Sequence, residues 1–257
     1  MHDRELNDHE LAAHLAAEAG ELLLAVRAEY ADAEQADRKA AGDGRSQEFL
    51  AAALARARPG DAVLSEEAVD DPARLRAERV WIIDPLDGTR EFSELGRDDW
   101  AVHVALWQRS GATGVLVAGA VALPAQGVTL ATSDAVPLPE RVGPPRVVVS
   151  RTRPPAIALA VCVALGGTLV EMGSAGAKMM AVVQGHADIY VHAGGQYEWD
   201  SAAPVAVARA AGLHASRLNG DPLTYNQPDT YLPDLLISRP EYSSSVLQLF
   251  RTFGVSG

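Results

Sequence analysis

An apolar tetrad, Val80-Trp81-Ile82-Ile83, runs directly into Asp84-Pro85-Leu86-Asp87-Gly88-Thr89. The tetrad reads as a buried strand, and Pro85 has no N–H to give a sheet ladder, so pairing is expected to stop where Asp84 emerges. Two carboxylates then leave one strand end together, with the Leu86 carbonyl between them as a neutral oxygen. Hard divalent ions take oxygen ligands, and magnesium shares one or two carboxylates with a phosphate while keeping several waters. Gly88 permits close backbone approach, and Thr89 is expected to open a short helix whose free N–H groups can receive a phosphate oxygen. Alone, the segment reads equally as a turn, because Asp and Gly are also chosen for local backbone reasons.

The surrounding pattern is that of a protein built on sheets. Leu11, Leu15, Leu22 and Val26 recur at helical spacing, and a second helix is expected over 46–58, ended by Pro59-Gly60. Strands are expected over 62–65, 80–83, 100–107 and 115–123; the run 100–107 is almost wholly apolar, which suits a central strand covered on both faces. Residues 132–146 carry Pro137, Pro139, Gly143, Pro144 and Pro145 and read as a connector. The chain is therefore divided at 1–135, an α+β lobe, and 146–257, an α/β lobe. In the second, strands are expected at 147–149, 168–172, 187–191 and 235–237, and helices near 155–165, 177–184 and 201–211.

Composition narrows the function. With 257 residues and 48% hydrophobic content the chain can bury a large core. No apolar run approaches the roughly 20 residues that span a bilayer. The charged start, Met1-His2-Asp3-Arg4-Glu5, lacks a secretory layout, so a cytoplasmic location is expected. The lone Cys162 reads as core packing. A formal charge of -12 argues against nucleic acid as a partner. It would also repel a phosphorylated small molecule unless a cation stood between them.

Further acids lie at the ends of separate elements. Glu66-Glu67 follows the strand 62–65, Asp43 precedes the second helix as a cap or turn acid, and Asp200 precedes the helix 201–211 as its N-cap. Each is unremarkable singly; together they place carboxylates as a multi-metal site requires. His103, in the apolar run, reads as a satisfied core or rim histidine rather than a ligand.

Trp81-Ile82-Ile83-Asp84-Pro85-Leu86-Asp87-Gly88-Thr89 and Trp199-Asp200-Ser201-Ala202-Ala203, with Glu66 and Gly173-Ser174-Ala175, resemble the signatures of the inositol monophosphatase superfamily of magnesium-dependent phosphatases. The resemblance runs over nearly the whole chain. It implies a layered α/β/α/β/α sandwich of the sugar phosphatase type and two magnesium ions. Glu66, Asp84 and the Leu86 carbonyl would hold the first ion; Asp84, Asp87 and Asp200 would hold the second. A third, weaker ion would bridge Asp43 and Glu66. Thr89 and Asp43 would orient and deprotonate a metal-activated water. Gly88, Thr89, Arg90, Arg151, Ser174 and Asp200 would hold the substrate. Arg90-Glu91-Phe92, Val149-Ser150-Arg151 and Gly173-Ser174-Ala175-Gly176-Ala177-Lys178 look like the CysQ branch, nucleotidases that remove the 3'-phosphate of adenosine 3',5'-bisphosphate, a by-product of sulfate assimilation.

The chain departs from the family pattern at Ala40, where threonine is usual, and at Ala193, where inositol phosphatases carry an acid. Inositol 1-phosphate and fructose 1,6-bisphosphate stay open as substrates, and the resemblance allows a homodimer. A phosphatase with an aspartate nucleophile is disfavoured, because two residues separate Asp84 from Asp87 where that class has one. A non-catalytic nucleotide sensor is disfavoured by the intact set of Glu66, Asp84, Asp87, Thr89 and Asp200.

Overall fold

A computed structural model of the chain describes residues 6–111, 113–134, 138 and 140–254. The first half is a five-stranded sheet in the order β1-β2-β3-β4-β5, built from Ala62–Ser65, Arg79–Asp87, Ala101–Ser110, Thr113–Leu123 and Val128–Ala131. Helices α1, Asp8–Glu29, and α2, Gln35–Ala57, cover one face. α3 is the short Thr89–Ser93. The second half holds β6, Arg146–Ser150, α4, Ala156–Ala164, β7, Thr168–Met172, and α5, Ala175–Val183. It continues with β8, Ile189–Tyr197, α6, Glu198–Ala210, β9, His214–Ser216, β10, Tyr231–Ser238, and α7, Pro240–Thr252. Its sheet runs β7-β6-β8-β10-β9.

Strand parity explains the layers, since successive side chains of a strand point to opposite faces. Val80 and Ile82 enter a core shared with α5 and α6, whereas Trp81 and Ile83 pack against α1 and α2. In the second sheet Val148, Tyr190, Leu235 and Ile237 face the same middle layer. Val147, Val149, Ile189, Val191 and Leu236 face α4 and α7. The result is an α/β/α/β/α sandwich with α5 and α6 between the sheets, as the resemblance implied.

Several elements differ from their sequence-based bounds. α2 begins at Gln35, not 46, because its first turns are polar and carry no apolar period; tertiary bonds hold them instead. The buried Arg38 guanidinium donates to the carbonyls of Tyr30, Ala31, Ala33 and Ser93. Leu23 rather than Leu22 takes the buried position on α1, whose start is fixed by a capping box of Asn7 and Glu10. β5, β9 and α7 carried too weak a pattern to be anticipated. In the connector, Pro137 and Pro139 lie outside the described residues.

Pro85 does not end β2. The ladder pairs Asp84 with His103, skips, and resumes with Asp87 opposite Ala101. The strand bulges around the proline instead of stopping, and the Ser46 hydroxyl donates to the freed Pro85 carbonyl at 2.7 Å.

Candidate metal centre

Parity places Asp84, like Val80 and Ile82, on the inner face of the first sheet, and the bulge returns Asp87 to the same side. Asp200 comes from the other half. It is not the N-cap but the third residue of α6, and its carboxylate accepts the Tyr197 N–H at 2.6 Å. Oxygen atoms of Asp84, Asp87 and Asp200 all lie within 4.8 Å of one another. Asp84 is 1% exposed. One of its oxygens accepts the Leu86 N–H at 3.1 Å, and the other is buried without a hydrogen-bond partner.

Three carboxylates so close in a buried setting cannot all ionise cheaply. Burial, then the charges of Asp87, Glu66 and Asp200, hold the Asp84 carboxyl well above the usual range. Burial and then Asp87 push Asp200 up to about 6. Asp87 goes the other way: burial raises it, but His103, the Ser174 hydroxyl and the Gly176 N–H outweigh that and bring it down to about 2. Ser174 donates at 2.5 Å, Gly176 at 2.6 Å and Ala175 at 3.2 Å, so the start of α5 is clamped onto Asp87. Ser174 caps that helix with φ +46°, and a side chain on Gly88, itself at φ +83°, would collide with it.

Asp43 is not a cap or turn acid; it sits mid-way along α2. The helix brings it to Thr89, whose hydroxyl faces the Asp43 carboxylate and the Leu86 carbonyl, each at 3.2 Å. Burial, then Glu67, raises Asp43 to about 6. Glu66 follows β1 and keeps much of its surface in solvent, but protein atoms crowd its carboxyl head. That desolvation and the Asp200 charge raise it to about 7. Arg90 and Arg151 are engaged elsewhere. Arg90 is exposed and bonds Glu94, while the Arg151 guanidinium bonds Glu91 at 2.8 Å and both oxygens of Glu94.

Two contributors escaped the sequence reading. His103 is indeed buried and hydrogen-bonded, its Nδ1 3.0 Å from the Trp199 carbonyl, but its Nε2 lies 3.3 Å from Asp87 Oδ2. A carbonyl only accepts, so Nδ1 carries a proton. No local pattern marks it, because the register that sets His103 opposite Asp84 is a pairing between two strands. Lys178 is buried one turn after Ser174 and donates to the carbonyls of Gly173 at 3.1 Å and Ser174 at 2.5 Å. It lines a cavity of about 280 Å³ with Ser150, Arg153, Ala175, His192 and Gly195. Ala175 belongs to both places, so the cavity opens beside Asp87.

The donors of the cluster are all oxygen, the pattern that suits a hard divalent cation. The unpartnered Asp84 oxygen and the raised acids are what a cation would satisfy, so the residues fit such an ion.

The sequence profile described as the inositol monophosphatase family matches residues 7–248. A curated protein of Mycobacterium bovis, 3'-phosphoadenosine 5'-phosphate phosphatase, is 56% identical over 235 residues, covering 90% of this chain and 88% of its own. The 3'(2'),5'-bisphosphate nucleotidase CysQ of Escherichia coli K12 is 32% identical, covering 68% of this chain and 74% of its own. The crystal structure of CysQ from Bacteroides thetaiotaomicron superposes with a TM-score of 0.72 at 27% identity, covering 89% of this chain and 96% of its own.

Proposed function

Because this chain belongs to the inositol monophosphatase family, we propose that its acidic cluster is the magnesium site of a phosphatase that hydrolyses the 3'-phosphate of adenosine 3',5'-bisphosphate to AMP and phosphate. The observation that carries this reading is the convergence of Asp84, Asp87 and Asp200 beside a cavity with cationic walls. Its relatives at 56% and 32% identity are named as phosphatases of such nucleotides.

Magnesium ions held there would lower the pKa of a water and neutralise phosphate oxygens, which is how such clusters accelerate displacement at phosphorus. Glu66, Asp84 and the Leu86 carbonyl are assigned to one ion, and Asp84, Asp87 and Asp200 to a second. Asp43 and Glu66 are assigned to a third, weaker one. The Thr89 hydroxyl, already bonded to Asp43, would hold the attacking water in line, and Asp43 would take its proton. The N–H groups of Gly88 and Thr89, at the start of α3, are assigned to the phosphate. Residues 1–135 thus supply most of the donors and residues 146–257 supply Ser174 and Asp200, so the site forms where the two halves meet.

The cavity supports a substrate with two phosphates over a monophosphate. In a chain of net charge -12, a second phosphate needs cations of its own. Arg153 and Lys178 are on the wall, and Lys178 spends two of its three N–H bonds on carbonyls. Arg151, next in the chain to Ser150 on the wall, is held by Glu91 and Glu94. Among the described residues no helix is long and apolar enough to cross a membrane. We assign the enzyme to the cytoplasm, where sulfate assimilation would produce its substrate.

The test compares phosphate release from adenosine 3',5'-bisphosphate, inositol 1-phosphate and fructose 1,6-bisphosphate at one magnesium concentration. The nucleotide should be turned over fastest, and Asp84→Asn should bring the rate to background. A preference for either sugar phosphate would overturn the assignment.

A further inference from the structure

Two exposed aromatic rings stand at the paired ends of β8 and β10, where the chain enters the helix that carries Asp200, and have no part in the chemistry above. Tyr197 is 47% exposed and Tyr231 49% exposed. They are directly opposite one another across β8 and β10. The Tyr197 ring lies parallel to that of Trp199, 4.9 Å away at 13°, and meets Tyr231 edge-on at 6.1 Å. Cross-strand aromatic pairs at a sheet end contribute to folding, and that alone would account for a pair facing water anywhere on the surface.

Position argues for more. The Tyr197 N–H is the one that holds Asp200, so the ring stands at a fixed offset from the acidic cluster. Gly195 lines the cavity that also holds Arg153 and Lys178, and its left-handed φ of +85° is matched by a second constraint. A Cβ there would sit 2.2 Å from the Tyr231 hydroxyl, so only glycine lets Tyr231 lie against the cavity rim. Cluster, cavity and aromatic step therefore form one continuous surface. A rigid, amphipathic pair of rings supplies contact area at low entropy cost, and flat bases stack on such rings.

We propose that Tyr197, backed by Trp199 and flanked by Tyr231, is the platform on which the nucleobase of the substrate stacks. This rests on the nucleotidase reading and adds to it the part of the site that distinguishes a nucleotide from a sugar bisphosphate. With one phosphate at the cluster and the other in the cavity, the base extends over the rim formed by Gly195, Tyr197 and Tyr231.

The test measures kcat and KM of the wild type, Tyr197→Leu and Tyr197→Phe on adenosine 3',5'-bisphosphate and on base-free ribose 3,5-bisphosphate. Tyr197→Leu should lower kcat/KM for the nucleotide about tenfold, the loss of one stacked base, chiefly through KM. The base-free compound should lose much less, and Tyr197→Phe should restore the nucleotide. An equal loss on both compounds, or no loss on the nucleotide, would overturn the platform while leaving the nucleotidase reading intact. A wild type that prefers the base-free compound would overturn the platform together with the choice of substrate.

Discussion

His103 shows how much of a metal centre lies outside its ligands. It faces Asp87 with one nitrogen and holds the carbonyl before Asp200 with the other, so a single ring joins acids that come from different halves of the chain. It is wholly buried, and Asp84 lies 3.8 Å from the same ring. Burial alone would favour the neutral ring, but the Asp87 carboxylate beside Nε2 outweighs it and raises the pKa of the ring. Outer groups that orient a ligand commonly change metal affinity by about 10–100-fold. His103→Gln is expected to weaken magnesium binding by about that factor, measured by titration calorimetry on the metal-free protein. Unchanged affinity would reduce His103 to core packing, the role its apolar surroundings suggested.

At the scale of elements, α2 is the decisive piece, because its middle carries Asp43 to Thr89. Gly42 makes this approach feasible. A Cβ there would meet Phe92 at 2.7 Å and Leu86 at 2.9 Å, so the helix can lie on the end of β2 and on α3 only without a side chain at that point. Gly44, two residues on, has nothing within 4 Å. The two glycines therefore predict opposite signs. Gly44→Ala should stabilise the protein by about 0.5–1 kcal/mol, the ordinary helix preference for alanine. Gly42→Ala should destabilise it by about 1–3 kcal/mol through overpacking. It should also slow turnover by displacing Leu86 and Thr89. Denaturant unfolding of both variants checks the signs; a stabilised Gly42→Ala would show that the helix does not depend on that contact.

The whole molecule is a compromise between folding and function at the meeting of its halves. Asp43 and Asp200 sit at about 6 and Glu66 at about 7, against ordinary values of 3.8 for Asp and 4.5 for Glu. A raised acid binds more protons folded than unfolded, so metal-free stability falls as pH rises through that window. The midpoint temperature of metal-free protein should drop between about pH 5 and about pH 8, by roughly 2–4 °C for each kcal/mol. Added magnesium should raise it more at the higher pH, where the acids are ionised. An equal magnesium shift at both ends would mean that the cluster is not where the ion binds. The sequence by itself determined the sandwich and most of the donors. β2, the acids at its end and the segment around Asp200 are local patterns, and strand parity needs no tertiary contact to be read. Only the tertiary structure decided the length of α2, the place of Asp43, the engagement of Arg151 by Glu91 and Glu94, and the presence of His103 beneath the acids. Each of these involves at least one contact across 46 to 96 residues. Polar pairs that distant leave no periodicity in the chain, because their positions are set by how the layers pack and not by the residues that flank them.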